Sequence, residues 1–203
     1  MKRTVSVLLC LMLLFSFCLA GCSADTPSDE VLIAAATQLL PASEVINHIL
    51  FESDIPEKML GQTAGNYYEA DPSFLRPYNL STLDDIRKYA ETVFSQAAVA
   101  QLFRVAVDPV SDGTTLVQAA YLYDSNGVLM VSRDGRHTRC DKTTFDLSTL
   151  TVISKTKAGI AALSVEATVT GEDGTGQTRT KRINLICEGG RWYLDGLTCM
   201  TLR

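Results

Sequence analysis

Ile160-Ala161-Ala162-Leu163-Ser164-Val165-Glu166-Ala167-Thr168-Val169-Thr170 is the clearest structural signal in the chain. Ala161, Leu163, Val165, Ala167 and Val169 alternate with Ser164, Glu166, Thr168 and Thr170. That period of two is expected of a strand with one face in a core and one in water. Gly171-Glu172-Asp173-Gly174-Thr175-Gly176 turns the chain, and Thr178 to Cys187 returns with Ile183, Leu185 and Cys187 inward. Glu188-Gly189-Gly190 makes the next turn. Arg191 to Thr198 closes the meander with Trp192 and Leu194 inward. Upstream, Leu116 to Tyr123 and Val128 to Ser132 read as strands around the turn Asp124-Ser125-Asn126-Gly127, and Phe145 to Ile153 as another.

The first half has a helical period instead. Ser28 is the expected N-cap of an apolar stretch from Val31 to Leu40, with Asp29 and Glu30 in the first turn. Pro41 is expected to break it. A second helix then starts near Pro41 or Ser43, with Val45, Ile46, Ile49 and Leu50 on one face. Gly61 to Tyr78 is turn-rich. Asn66 to Ala70 reads as a short strand, and Asp71-Pro72-Ser73 and Arg76-Pro77 as loop. Ser81 is the expected cap of the next helix, which carries Asp84 and Asp85 in its first turn. Its apolar stripe is Leu83, Ile86, Tyr89, Ala90, Val93 and Phe94. Ser95 starts one more, with Val99, Leu102 and Phe103. Helices over about 31–105, then an antiparallel sheet over about 115–200, predict one α+β domain at 31–203. Its helices should cover one face of a single curved sheet.

The N-terminus carries an address. Met1-Lys2-Arg3 precedes an apolar run from Val7 to Phe15, and no charge falls between Arg3 and Asp25. This is the pattern of an export signal over residues 1–21. Its end, Leu19-Ala20-Gly21-Cys22, resembles the lipobox of bacterial lipoproteins. The resemblance implies a diacylglycerol thioether on Cys22, a tether over 22–30 and a place on the outer face of the bacterial cell membrane. Two acyl chains hold a protein there stably. The formal charge is −5, and removing Lys2 and Arg3 makes the mature chain more acidic still. An acidic chain lacks the electrostatic footprint that nucleic acid requires.

With Cys10 and Cys18 in the signal and Cys22 lipidated, Cys140, Cys187 and Cys199 remain. Their spacing fits no zinc pattern. Setting Cys187 opposite Arg191 in the hairpin places Cys199 near Arg179, so no Cys187–Cys199 disulfide is expected. The partner of Cys140 stays open.

The order of helices and strands resembles the NTF2-like or cystatin-like α+β roll. A closer resemblance is to the IseA-like DL-endopeptidase inhibitor family. It rests on Tyr67-Tyr68, Leu83-Asp84-Asp85-Ile86, Val93-Phe94-Ser95, Asn126-Gly127-Val128-Leu129-Met130-Val131 and the terminal Gly190-Arg191-Trp192-Tyr193. Met130 stands where that hairpin usually carries an aromatic. The resemblance implies a non-catalytic domain that binds cell-wall peptidases of the NlpC/P60 type, and no cofactor.

Tyr67, Tyr68, Tyr121, Tyr123, Trp192 and Tyr193 are the candidate binding surface, because tyrosine offers area and a polar tip at low entropy cost. Two alternatives accompany this reading: a small-molecule pocket enclosed by Trp192 and tyrosines, and an enzyme using a Tyr and an Asp in that pocket. Three catalytic or metal constellations have blander accounts. His137 and Cys140 sit in a polar loop. Asp84 and Asp85 are first-turn acids. Asp124-Ser125-Asn126-Gly127 lacks the later ligands of a calcium loop.

Overall fold

The computed structural model describes residues 26–52, 54–108, 110–111, 116–118, 120–135, 138–171 and 173–199. Helices come first and antiparallel sheets follow, so the fold is α+β. Helix α1 spans Asp29–Asn47 and runs into a π-helical turn, His48–Glu52. Strands β1 (Thr63–Ala64) and β2 (Tyr67–Glu69) form a small hairpin. Helix α2 (Pro72–Leu75), α3 (Leu83–Glu91) and α4 (Gln96–Ala106) come next. The remaining strands are β3 (Val110–Ser111), β4 (Leu116–Gln118), β5 (Leu122–Ser125) and β6 (Val128–Ser132). They are followed by β7 (Lys142–Lys155), β8 (Ile160–Thr170), β9 (Gly176–Glu188) and β10 (Arg191–Leu194). Among the described residues no helix is long and apolar enough to cross a membrane.

The strands form not one sheet but two four-stranded sheets and a two-stranded ribbon. The first sheet has the order β1-β2-β6-β5, the second β10-β9-β8-β7, and β3 pairs with β4. The early hairpin of Tyr67–Glu69 recruits β6, so Val128–Ser132 leaves the C-terminal meander to pair with it. In the second sheet, Ala161, Leu163, Val165, Ala167 and Val169 of β8 are buried as their alternation requires. β7 shifts register against β8 between Asp146 and Thr151 and again between Val152 and Ser154. Such irregularities bend a strand and increase its twist. β10 is short and pairs only with Leu185 to Glu188 of β9. Among the described residues, the earlier part of β9 therefore has β8 as its one strand neighbour.

One core joins these layers. α1 lies against β7 and β10. Leu32, Leu40, Ile46, Ile49, Leu50 and Phe51 meet Phe94, Phe103, Leu163, Val165 and Leu185 in it, all 4% exposed or less. Burying each such side chain contributes about 1.5–3 kcal/mol. The joint between α3 and α4 is pinned to β10 at both ends: Leu194 N donates to Val93 O (2.9 Å), and Ser95 N to Leu194 O (2.9 Å).

Local signals decide most boundaries. Ser28 Oγ accepts from Val31 N at 3.4 Å. Pro41 does not end α1, contrary to the sequence expectation. Leu39 and Leu40 before it and Ile46 after it are buried. At about 1.5–3 kcal/mol each, their combined burial outweighs the roughly 3 kcal/mol that an interior proline costs. The cap of α3 is Thr82, not Ser81. Thr82 Oγ1 accepts from Asp85 N (3.0 Å) while Asp85 Oδ2 accepts from Thr82 N (3.0 Å), a reciprocal capping box. Asp71-Pro72 starts a short helix rather than a loop: Asp71 Oδ1 accepts from Ser73 N (2.8 Å), with proline at the first helical position. The β5–β6 turn is Asn126-Gly127, with φ of 56° and 84°, the two left-handed residues of a tight hairpin. Asp124 Oδ1 accepts from Gly127 N at 2.9 Å, which is turn chemistry.

Candidate functional site

Paired residues of neighbouring strands point the same way. In the first sheet Glu69 faces Met130 across β2–β6, and Met130 faces Tyr123 across β6–β5. Tyr67 lies diagonally on this face, and its ring centroid is 5.1 Å from that of Tyr123. Met130 is 1% exposed and does not belong to the main core. Tyr67 is half-buried and fixed through its hydroxyl, which donates to Ala120 O at 3.0 Å. Burial, and then the neighbouring Tyr123, push the Tyr67 phenol above its ordinary value. Tyr123 remains 47% exposed.

Tyr68 serves the adjoining surface. The Arg133 guanidinium lies 4.5 Å from its ring centroid. Glu57 holds that guanidinium with two hydrogen bonds, Nε to Oε1 and Nη2 to Oε2, both 2.5 Å. Those bonds keep the Glu57 carboxyl below the usual carboxylate range. Glu57 is itself fixed by the bridge of its strand position to Ala70. A second pair, Arg139 with Asp54, flanks the same place. Between the two pairs is an open cleft of about 360 Å³, floored by Tyr121 and Ser132. Ser132 Oγ is buried and has no hydrogen-bond partner among the described residues, a condition that buried polar groups rarely tolerate. Gly135 closes one wall, where a Cβ would come within 2.4 Å of Ala120 O.

The candidate surface thus divides. Tyr67 and Tyr123 come together on one face of the first sheet, and Tyr68, paired with Val131, lies on the other. Tyr121 is only 6% exposed. Its hydroxyl accepts from Ile55 N at 2.7 Å, and burial pushes its pKa up to about 12. It is therefore a structural anchor under the cleft, because the chain bends before β5 begins. Trp192 belongs to the core, not to a surface. Tyr193 is half-buried on the second sheet under Arg191, 5.3 Å from its ring centroid. Cys22 and His137 lie outside the described residues. Asp84 pairs with Lys88 at 2.6 Å, and Asp85 caps α3. Among the described residues no cluster of His, Cys, Asp and Glu is placed to hold a metal ion.

A second cleft, of about 290 Å³, was not anticipated from the sequence. Glu44, His48, Glu52, Tyr78 and Lys142 line it. The first three recur every four residues through the end of α1 and the π-helical turn, a spacing that places them on one helix face. Glu44 Oε1 accepts from Phe145 N (3.1 Å) and Glu52 Oε1 from Thr143 N (3.3 Å), so both carboxylates tie α1 to β7. The Glu52 side chain is 7% exposed, and its Oε2 is 3.8 Å from His48 Nδ1. Desolvation pushes its pKa up to about 7, against the opposing Thr143 N–H and Lys142. Burial also raises Glu44 and lowers His48. His48 stacks on Phe74, ring centroids 5.4 Å apart. The signal was legible as Glu44-x-x-x-His48-x-x-x-Glu52 in the helix expected after Pro41, of which only the apolar face, Val45, Ile46, Ile49 and Leu50, was read.

No protein-family model, no curated protein and no solved structure matches the chain.

Proposed function

We propose that this protein is exported and lipid-anchored through Cys22 to the outer face of the bacterial cell membrane. There it acts as a non-catalytic binding domain that inhibits or modulates NlpC/P60-type cell-wall peptidases. The observation that carries the binding reading is the Tyr68–Arg133–Glu57 stack beside an open cleft, with the unpartnered Ser132 hydroxyl in its floor. Tyrosine and arginine dominate the energetics of protein-recognition surfaces. Here Arg133 is already oriented by Glu57, which lowers the ordering cost of an encounter.

The test is a pull-down and activity assay with purified NlpC/P60 domains. Binding with loss of peptidase activity is expected. Tyr68→Ala and Arg133→Ala should each weaken binding by about 10- to 100-fold, the scale of an interface hot spot. Cys22→Ala should release the protein from the membrane fraction without altering binding in solution. No captured peptidase and undiminished peptidase activity would overturn the reading.

A second reading, binding of a small molecule, has one observation in its favour. The Glu44–His48–Glu52 cleft holds a carboxyl raised to about 7, and strongly perturbed groups in clefts mark functional sites. Glu52→Gln separates the two readings. It leaves peptidase binding intact if the Tyr68–Arg133 surface is the functional one.

A further inference from the structure

From Gly174 to Cys187 the chain carries three cations, Arg179, Lys181 and Arg182, and no anion, in a protein whose formal charge is −5. The direction of the main-chain groups in this stretch follows from bonds at its far end. Cys187 N donates to Gly159 O (2.8 Å), so Cys187 turns toward β8. Asn184 O accepts from Asp195 N (2.9 Å), so Asn184 turns toward β10. Successive residues of an antiparallel strand bond to alternate sides. Counting back by twos, Thr178, Thr180 and Arg182 turn their N–H and C=O groups to the β10 side, and Arg179 and Lys181 turn theirs to β8. The pairing with β10 ends at Leu194 and Leu185. After Asp195 the chain turns at Gly196, with φ of 136°. It then runs under the inner face of the sheet. There Lys181, on the same face as the buried Ile183 and Leu185, donates from Nζ to Thr198 O (2.5 Å) and Cys199 O (2.8 Å). Asn47 Nδ2 donates to Thr198 Oγ1 (3.0 Å). Among the described residues, the main chain of Thr178, Thr180 and Arg182 therefore meets no strand and no main-chain hydrogen bond on this side. All three residues are exposed.

We propose that this side of β9 takes an extended acidic segment of a partner protein as an added strand. The proposal concerns the second sheet and is independent of the peptidase reading. In such strand addition the main-chain bonds supply affinity and the side chains supply selection. The outward groups of Thr178, Thr180 and Arg182 supply the bonds. From Gln177 to Ile183 the strand is about 24 Å long at roughly 3.4 Å per residue, room for a segment of about seven residues. Thr178, Thr180 and Arg182 share the outer face, so acidic side chains at alternate positions of the segment lie opposite Arg182 and its two threonine neighbours. The inner face is less suited to them. Lys181 is committed to the tail there, and Arg179 donates from Nη2 to Gln177 Oε1 at 2.8 Å. Asp141 and Asp173 line one cleft with Gln177 and Arg179. The segment is therefore acidic on its outward face and uncharged on its inward one.

The experiment titrates the isotope-labelled full chain with a capped peptide of alternating glutamate and threonine, about eight residues long, and follows amide hydrogen exchange by NMR. Exchange at the amides of Thr178, Thr180 and Arg182 should slow by about tenfold at saturation, while those of Arg179 and Lys181, which face β8, change little. Raising the salt to about 0.5 M should weaken binding by about tenfold. The charge reversal Arg179→Glu with Arg182→Glu should abolish it. A peptide of the same sequence, N-methylated at alternate residues, keeps the charge but cannot pair, and should not bind. Equal binding of the methylated peptide overturns the proposal, because charge alone would then be the cause. Failure of the unmodified peptide to bind overturns it, and so does protection confined to another strand. Slow exchange at the three amides before any peptide is added would show that a second copy or the chain's own tail already pairs there, which also overturns it. The comparison of the two peptides needs only the unsubstituted chain, so it stands even if the variant fails to fold.

Discussion

Glu52 carries two opposed loads. Its Oε1 receives the Thr143 N–H that joins the π-helical turn to β7, yet its burial opposes ionisation. Its pKa rises from 4.5 in the unfolded chain to about 7 in the fold. Between those values the folded state binds more protons than the unfolded state, so stability falls as pH rises. The contribution is complete below about pH 4.5 and is lost by about pH 7, and its size is roughly 3 kcal/mol. Glu44, raised by the same cause, adds in the same direction. His48, lowered by burial, acts oppositely as pH falls below its unfolded value. Glu52→Gln keeps an oxygen for Thr143 and cannot ionise. Denaturant melts at several pH values should show it more stable than the parent at pH 8, with a flatter profile between pH 5 and 7. An unchanged profile would remove Glu52 as its source. This residue was within reach of the sequence only as a four-residue spacing. Its perturbation arises from β7 packing against α1, which no local pattern encodes.

At the scale of the element, agreement between local and tertiary signals decided what could be read. β8 was legible because its apolar alternation matches the single face that packs on the core. β6 and the cap of α4 at Ser95 were legible for the same reason, and Ser95 Oγ does accept from Ala98 N at 3.2 Å. α1 was misread where local and tertiary terms conflict, since Pro41 argues for a break and the flanking buried residues for continuity. The helix α3 was legible, but its cap was one residue away from the expected one, because Ser81 and Thr82 both bond to Asp85. Thr82→Ala removes the acceptor for Asp85 N. It should cost about 1 kcal/mol in chemical denaturation, while Ser81→Ala, which leaves the capping box intact, should cost less. Equal losses would place the cap at Ser81 after all.

For the whole molecule, the division into two sheets was the feature least visible in advance. A strand's period reports which face is buried but not which strand it pairs with, and the Tyr67–Glu69 segment draws β6 away from the meander across a long stretch of sequence. The same division explains why the tyrosines separate. Tyr67 and Tyr123 meet on one face of the first sheet with Tyr68 on the other, while Tyr193 goes with the second sheet and Tyr121 beneath the cleft. The Cys187–Cys199 disulfide was correctly not expected, since Cys199 is free. The register differs by one residue, however: Trp192, not Arg191, faces Cys187. Cys199 leaves the hairpin altogether and lies in the tail, whose carbonyls Lys181 holds.

The shortness of β10 bears on how the protein behaves in a crowd of its own copies. A strand with one side unoccupied is a template for another chain, and proteins guard such borders with charge. Along the run of β9 that has only β8 as a strand neighbour among the described residues, Thr178, Arg179, Thr180 and Arg182 are exposed, and Lys181 is turned aside to the tail. Two copies approaching border to border would set arginine against arginine. Replacing both, as Arg179→Thr with Arg182→Thr, should leave the fold intact and promote concentration-dependent association in light scattering. Scattering equal to the parent's at every concentration would show that the border is guarded by something else. On this view the cationic border is what keeps closely spaced copies of this domain from polymerising.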